Sequence, residues 1–289
     1  MKHLVYFLVG LLMFGCQTKS KTDDSYQTKD YLEVAKFLER NPADNFPFVL
    51  KLHSGKKQLI FIGTAHTREI TKHADTIDFY FNQLQPQIAF NEGGQVAKDK
   101  HFPSRNDAIK VDAEIGQLKY LCDKQNIEMA NGDLVTSDEF NELFKIYNRE
   151  EVLLYTCCER FFALYKNNWI DTTEGIEVAY KRDFVQYLES ENVNLSSTEK
   201  EYSFMTKAYK NFFGTEIDVY NIPTEKHDFL KDNGKLCEIG RSSKMVRDKH
   251  LLKKIEEALT KYDRIMVVFG GAHFVAVEPA LKQIIRKYD

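Results

Sequence analysis

The 289-residue chain carries 40 basic and 43 acidic side chains, a net charge of −3, and 43% of its residues are hydrophobic. So balanced a charge gives no electrostatic hold on nucleic acid, and the Phe- and Tyr-rich aromatic content is enough to fill a substantial core. The length suits one large α/β domain, or one domain with an insertion.

Lys2 and His3 precede an apolar run from Leu4 to Phe14, and Gly15 stands directly before Cys16. Residues 1–15 therefore read as a secretory leader cut ahead of a cysteine that becomes acylated. The run is too short to span a bilayer. Residues 16–28 are polar and read as a flexible tether, leaving 29–289 as the folded domain. The expected location is the cell envelope, with the membrane reached through a lipid on Cys16.

Within the domain, residues 30–39 pattern as a helix, followed by a hairpin of Phe48–Leu52, a Ser54-Gly55 turn and Gln58–Ile62. The second strand is almost wholly apolar, which predicts a central position in the sheet. A helix over 69–84 ends at Pro86, and a short apolar strand over 87–91 leads into Glu92-Gly93-Gly94. A polar loop spans 95–107. A helix over 113–122, a strand over 127–130 and an Asn131-Gly132-Asp133 turn follow. Residues 137–213 are helical almost throughout, broken near Asn148, Asn168 and 192–197, and read as a helical insertion. A helix over 241–260, a strand over 264–269 and a helix over 275–286 close the chain. Alternating strands and helices predict an α/β fold, a central mixed sheet flanked by helices with the helical insertion mid-chain.

Two segments share one layout. QLIFIGTAH and RIMVVFGGAH each run from an apolar strand into Gly-x-Ala-His. The glycines, Gly63 and Gly270-Gly271, permit a tight exit and close backbone approach, and they set His66 and His273 just past the carboxyl ends of their strands. Ligands of open α/β sheets bind along that edge. Glu92 ends a third strand in the same way. If the three strands are neighbours, His66, Glu92 and His273 converge. Such a trio can ligate a divalent metal, with Mn, Co or Zn as candidates, or act without metal as an acid/base set. A lone histidine at a strand end is more often structural; the repeated context is what points to function.

Other polar residues have plainer explanations. Asn131 and Asp133 follow a strand at the same edge, where a turn accounts for them. Arg182-Asp183 reads as a surface pair. His53, His73, His101, His227 and His250 lie in polar contexts and read as solvated. Cys122, Cys157, Cys158 and Cys237 match no zinc spacing. Cys122 and Cys157 lie in helical apolar patterns, where free buried thiols are as reasonable as disulfides.

The order and spacing of these motifs resemble the TraB/GumN and Tiki group, of the superfamily that also holds erythromycin esterases and ChaN-like lipoproteins. That group has two GxxH motifs, a glutamate closing the strand after the first and an arginine in the helix before the second, matched here by Gly63–His66, Glu92, Arg247 and Gly270–His273. The resemblance covers roughly 58–92 and 242–284. It implies hydrolase chemistry on a peptide or ester, metal-dependent in the Tiki branch, with Arg247 binding a substrate carboxylate or an oxyanion. Arg247 shares a helical stripe with Leu251, Ile255 and Ala258, which turns it inward. Two other functions compete with hydrolysis. The ChaN-like relatives suggest haem binding through the histidines, and pheromone-shutdown members suggest sequestration of a peptide without cleavage.

Overall fold

The computed structural model of the protein describes residues 26–42, 45–66 and 72–289. The leader, Cys16 and most of the tether lie outside them, as does the start of the helix read from 69. Among the described residues no helix is long and apolar enough to cross a membrane.

Five strands form one mixed sheet in the order β1-β2-β5-β3-β4. β1 (Phe48–Ser54) and β2 (Lys57–Thr64) make the hairpin, turning at Gly55, whose φ of 53° suits glycine. β2, β5 (Arg264–Gly270), β3 (Ile88–Asn91) and β4 (Glu128–Asn131) run parallel. β2 is an interior strand, between β1 and β5, as its unbroken apolar run requires. Thr64 pairs with Gly270, and Asn91 with Val268 and Asn131, so the carboxyl ends of all four parallel strands finish at one edge.

Alternation along the strands fills two layers. Phe61, Val267 and Phe269 face helices α1 (Tyr31–Arg40), α10 (Lys235–Leu259) and α11 (Gly271–Ile285). Ile60, Ile62, Met266 and Val268 face α2 (Lys72–Leu84) and α3 (Arg105–Gln125). Between β4 and α10 lies the helical block: α4 (Thr136–Leu143), α5 (Arg149–Thr156), α6 (Ala163–Lys166), α7 (Ile176–Ala179), α8 (Gln186–Ser190) and α9 (Tyr202–Phe213). Wider π-helical turns, Cys157–Phe162 and Tyr180–Val185, interrupt it. The block has its own core and packs on the sheet layer through α10. Its breaks fall at the asparagines read as breaks: Asn148 caps α5, and Asn168 and Asn192 adopt positive φ.

Several expectations are corrected. α1 is capped by Asp30, whose side chain accepts from the Leu32 N–H at 2.8 Å. Tyr26, read as tether, packs on the domain and donates to Glu256 at 2.5 Å. α10 begins six residues before the expected Arg241, and α11 begins at Gly271, because Gly270 leaves β5 directly as the helix cap. His273 is therefore in the first turn of a helix. His73, His227 and His250 are half-buried rather than solvated, and burial lowers the pKa of His227 and His250. The four cysteines, Cys122, Cys157, Cys158 and Cys237, are buried free thiols.

α3 is longer than the expected 113–122 and is broken at Asp112 and Ala113. Ala113 has φ 49° and ψ −135°, a region that only glycine enters without steric cost. A Cβ on Gly116 would lie 2.2 Å from the Ala108 carbonyl oxygen, so the glycine lets the two halves of the helix close on each other. Relief of the strain at 113 outweighs the extra chain entropy of glycine. Ala113→Gly is expected to raise stability by about 1 kcal/mol, read as a higher urea midpoint. A lower midpoint would show that the backbone there is unstrained.

Candidate active site

The convergence begins with backbone proximity. A Cβ on Gly63 would lie 2.7 Å from Phe274 Cβ, and one on Gly271 2.1 Å from the Phe46 ring. A Cβ on Gly270 would lie 2.7 Å from His66 Nε2 and 3.0 Å from Glu92 Oε2. These glycines are required by close approach, since none of the three has positive φ. They draw the ends of β2 and β5 and the start of α11 together.

Glu92 stands at the centre. The Asn91 side chain donates to the Glu92 and Gly94 carbonyls at 2.8 Å each, and Gly93 and Gly94 adopt positive φ, which curls the chain behind the carboxylate. Oε1 accepts from Arg247 Nη2 at 2.8 Å, and Oε2 accepts from the Gly270 N–H at 2.6 Å, at the amino end of α11. His66 Nε2 lies 3.6 Å from Oε2, and His273 Nε2 lies 3.5 Å from Oε1. Burial alone would raise the Glu92 pKa; His273, Arg247, His66 and the Gly270 N–H outweigh it and hold the carboxyl well below the usual range.

Each histidine is oriented by a carboxylate on its other nitrogen. His66 Nδ1 bonds Glu114, which the break in α3 brings under the end of β2, where Thr64 Oγ1 also donates to it at 3.1 Å. His66 has φ 53° and a side chain 53% exposed. Desolvation lowers its pKa, but the Glu114 hydrogen bond and the Glu92 charge prevail, and the net shift is upward. His273 is 4% exposed, with Nδ1 2.6 Å from Asp248 Oδ1.

Arg247 is 8% exposed and faces inward, on the stripe it shares with Leu251, Ile255 and Ala258. Its Nε and Nη2 donate to Asp133 at 2.7 and 2.6 Å, besides the bond to Glu92. Nη1 makes no hydrogen bond among the described residues. Asp133 is thus more than the turn residue read from the sequence: burial raises its pKa, but Arg247 outweighs this and lowers it. Arg182 and Asp183 pair at 2.6 Å away from this edge.

Two cavities flank Gly93-Gly94-Gln95. One of about 520 Å³ is lined by His66, Glu114, Lys100 and Ala97. The other, of about 710 Å³, lies between the sheet edge and the helical block and is lined by Asp133, Arg247, Lys244, Glu159 and Arg160.

The expected metal set His66, Glu92 and His273 is close together but does not form a three-ligand centre. Among the described residues no group of three His, Cys, Asp or Glu is arranged to hold an ion. The carboxylate lies between the imidazoles, each Nε2 facing a different oxygen, and both oxygens already accept from Arg247 or Gly270. Of the two histidines, His273 is buried against Glu92, whereas His66 keeps an exposed face.

Glu114 and Asp248 were not read from the sequence. Asp248 adjoins Arg247, but inside a charged run that gives no signal of burial. Asp133 did carry a signal, since it follows a parallel strand at the same edge as Glu92. The chain matches no known protein-family model and no curated protein.

Arg247 compensates two buried carboxylates, so Arg247→Met should cost about 3–5 kcal/mol at pH 7. The folded pKa values of Glu92 and Asp133 are lowered, so their contribution is present above the ordinary carboxylate range and is lost on acidification below it. Without the guanidinium they take up protons more readily. The gap between wild type and variant should therefore narrow from pH 7 to about pH 4.5 in urea unfolding. A gap that stays constant would mean the ion pairs carry no net energy.

Proposed function

We propose that this chain is a hydrolase of an acyl bond, in a peptide or an ester, held in the cell envelope by a lipid on Cys16. The observation that carries the reading is the half-exposed His66. It is oriented through Nδ1 by buried Glu114, with Nε2 directed toward an ionised Glu92 beside the 520 Å³ cavity. This is a general base with an orienting carboxylate.

In this reading His66 Nε2 takes a proton from water as the water oxygen attacks the acyl carbon. The resulting oxyanion is countered by Arg247, whose Nη1 makes no hydrogen bond among the described residues. Collapse expels the amine or alcohol, which regains the proton from His66. Glu92 holds Arg247 in place and faces both imidazoles. The larger cavity, beyond Arg247, takes the remainder of the substrate. No step calls for a metal. The order GTAH, Glu92, Arg247, GGAH supports a relationship to the TraB/GumN group, and the apolar run ahead of Cys16 supports export and acylation.

The test is a screen of peptide and ester substrates, with and without chelator. His66→Ala should lower kcat by about 10²- to 10⁴-fold with unchanged unfolding, since the side chain is half exposed. Arg247→Lys should also impair turnover, because a point charge does not reproduce the planar fork. Equal rates in wild type and His66→Ala would exclude the mechanism, sensitivity to chelator would restore the metal, and tight binding without turnover would indicate sequestration.

The pH profile gives a second check. His66 must be neutral to act, and its pKa is raised, so the acid limb of kcat/KM should lie above the ordinary histidine value of 6.5. Glu114→Gln should move that limb toward lower pH; an unmoved limb would assign it to another group. For the anchor, Cys16→Ser should release the protein from the membrane fraction, and retention there would refute acylation.

A further inference from the structure

Asp248 is a buried carboxylate of the site that the hydrolytic steps above leave without a role. It is 1% exposed, on α10, and its side chain meets only two partners among the described residues, one from each end of the chain. Tyr31 on α1, fully buried, lies with Oη 2.8 Å from Asp248 Oδ2. His273 on α11 lies with Nδ1 2.6 Å from Oδ1. Oη and Nδ1 are themselves 3.2 Å apart.

We propose that Asp248 and Tyr31 are positioning residues that fix the tautomer and ring orientation of His273; their effect on turnover rests on the hydrolase reading above. The assignment follows from the donors available. A carboxylate accepts only, and tyrosine has one hydrogen to give. That hydrogen goes to Oδ2, so the tyrosine oxygen can only accept from the ring. Both neighbours of Nδ1 are then acceptors, and Nδ1 carries hydrogen. Nε2 is thereby turned to Glu92 Oε1, 3.5 Å away. Edge-on contacts from the Tyr31 and Phe269 rings, at 6.3 and 5.9 Å between centroids, hold the plane of the imidazole. Burying a carboxylate is costly unless its lone pairs are used. Here they are used to define one face of one histidine, as Glu114 does for the more exposed His66.

Asparagine separates this role from simple core support. In Asp248→Asn, Tyr31 still donates, so the amide oxygen stays on Tyr31 and the amide nitrogen turns to Nδ1. The opposite orientation would leave the tyrosine hydrogen buried without an acceptor. Hydrogen must then leave Nδ1 for Nε2. In Asp248→Asn/Tyr31→Phe that constraint is gone, the amide oxygen can face the ring, and Nδ1–H returns.

The experiment is two-bond ¹H–¹⁵N NMR of the full-length protein labelled in histidine, with the His273 signals identified by their loss in His273→Gln. Wild type and Tyr31→Phe should show Nδ1–H, Asp248→Asn should show Nε2–H, and the double variant should show Nδ1–H again. On a substrate found in the screen, Asp248→Asn should lower kcat by a few-fold, less than loss of the base His66 does, with little change in KM, and the double variant should recover part of that loss. Nδ1–H retained in Asp248→Asn, or no return in the double variant, would overturn the proposal, as would loss of turnover without a change of tautomer. The full NMR pattern in a protein that hydrolyses nothing would support the positioning role while excluding the hydrolase reading.

Discussion

One ionised carboxylate, Glu92, organises this end of the molecule. It sits at the end of β3, where β2 and β5 finish and α10 and α11 pass, and each of those four directs a group toward it: His66, the Gly270 N–H, Arg247 and His273. A buried carboxylate is tolerable only with compensation of this kind, so the fold at the edge and the charge at the centre require each other. The glycines follow from the same constraint. A side chain at Gly270 would occupy the space in which His66 and Glu92 approach.

Around that centre the two GxAH segments give two carboxylate-oriented histidines with opposite exposures. His66 lies beyond its strand on chain with positive φ, open to a cavity, while His273 is built into the first turn of a helix and sealed beneath α1 and α10. The difference divides their tasks. An open imidazole can exchange a proton with water; a buried one held by fixed partners keeps the geometry around it. It also means that the two are unequal under substitution, because removing His273 strands Asp248 in the core whereas removing His66 opens a surface.

Much of this was legible in the amino-acid sequence. The apolar run of β2 announced an interior strand, the asparagines at 148, 168 and 192 marked breaks, and Gly-x-Ala-His after two such strands located both histidines at one edge of the sheet. Arg247 was readable from its stripe with Leu251, Ile255 and Ala258. Other partners were not legible, because their roles depend on distant contacts. Glu114 reaches His66 only through a helix break at Asp112 and Ala113 that no proline or glycine announces at that point. Asp248 gains its meaning from Tyr31, 217 positions away. The metal expectation came from residue types at neighbouring strand ends, where the sequence did not show that Arg247 and a backbone N–H also reach the carboxylate.

The most direct test of this account is the titration of the Glu92 carboxyl itself, followed by ¹³C NMR of protein labelled at the glutamate side chains, with Glu92→Gln to identify the signal. The carboxylate should remain ionised well below the ordinary glutamate pKa of 4.5, until the protein unfolds in acid. Protonation at or above that ordinary value would contradict the account, because Arg247, Gly270 and the two histidines would then not be gathered around a charge.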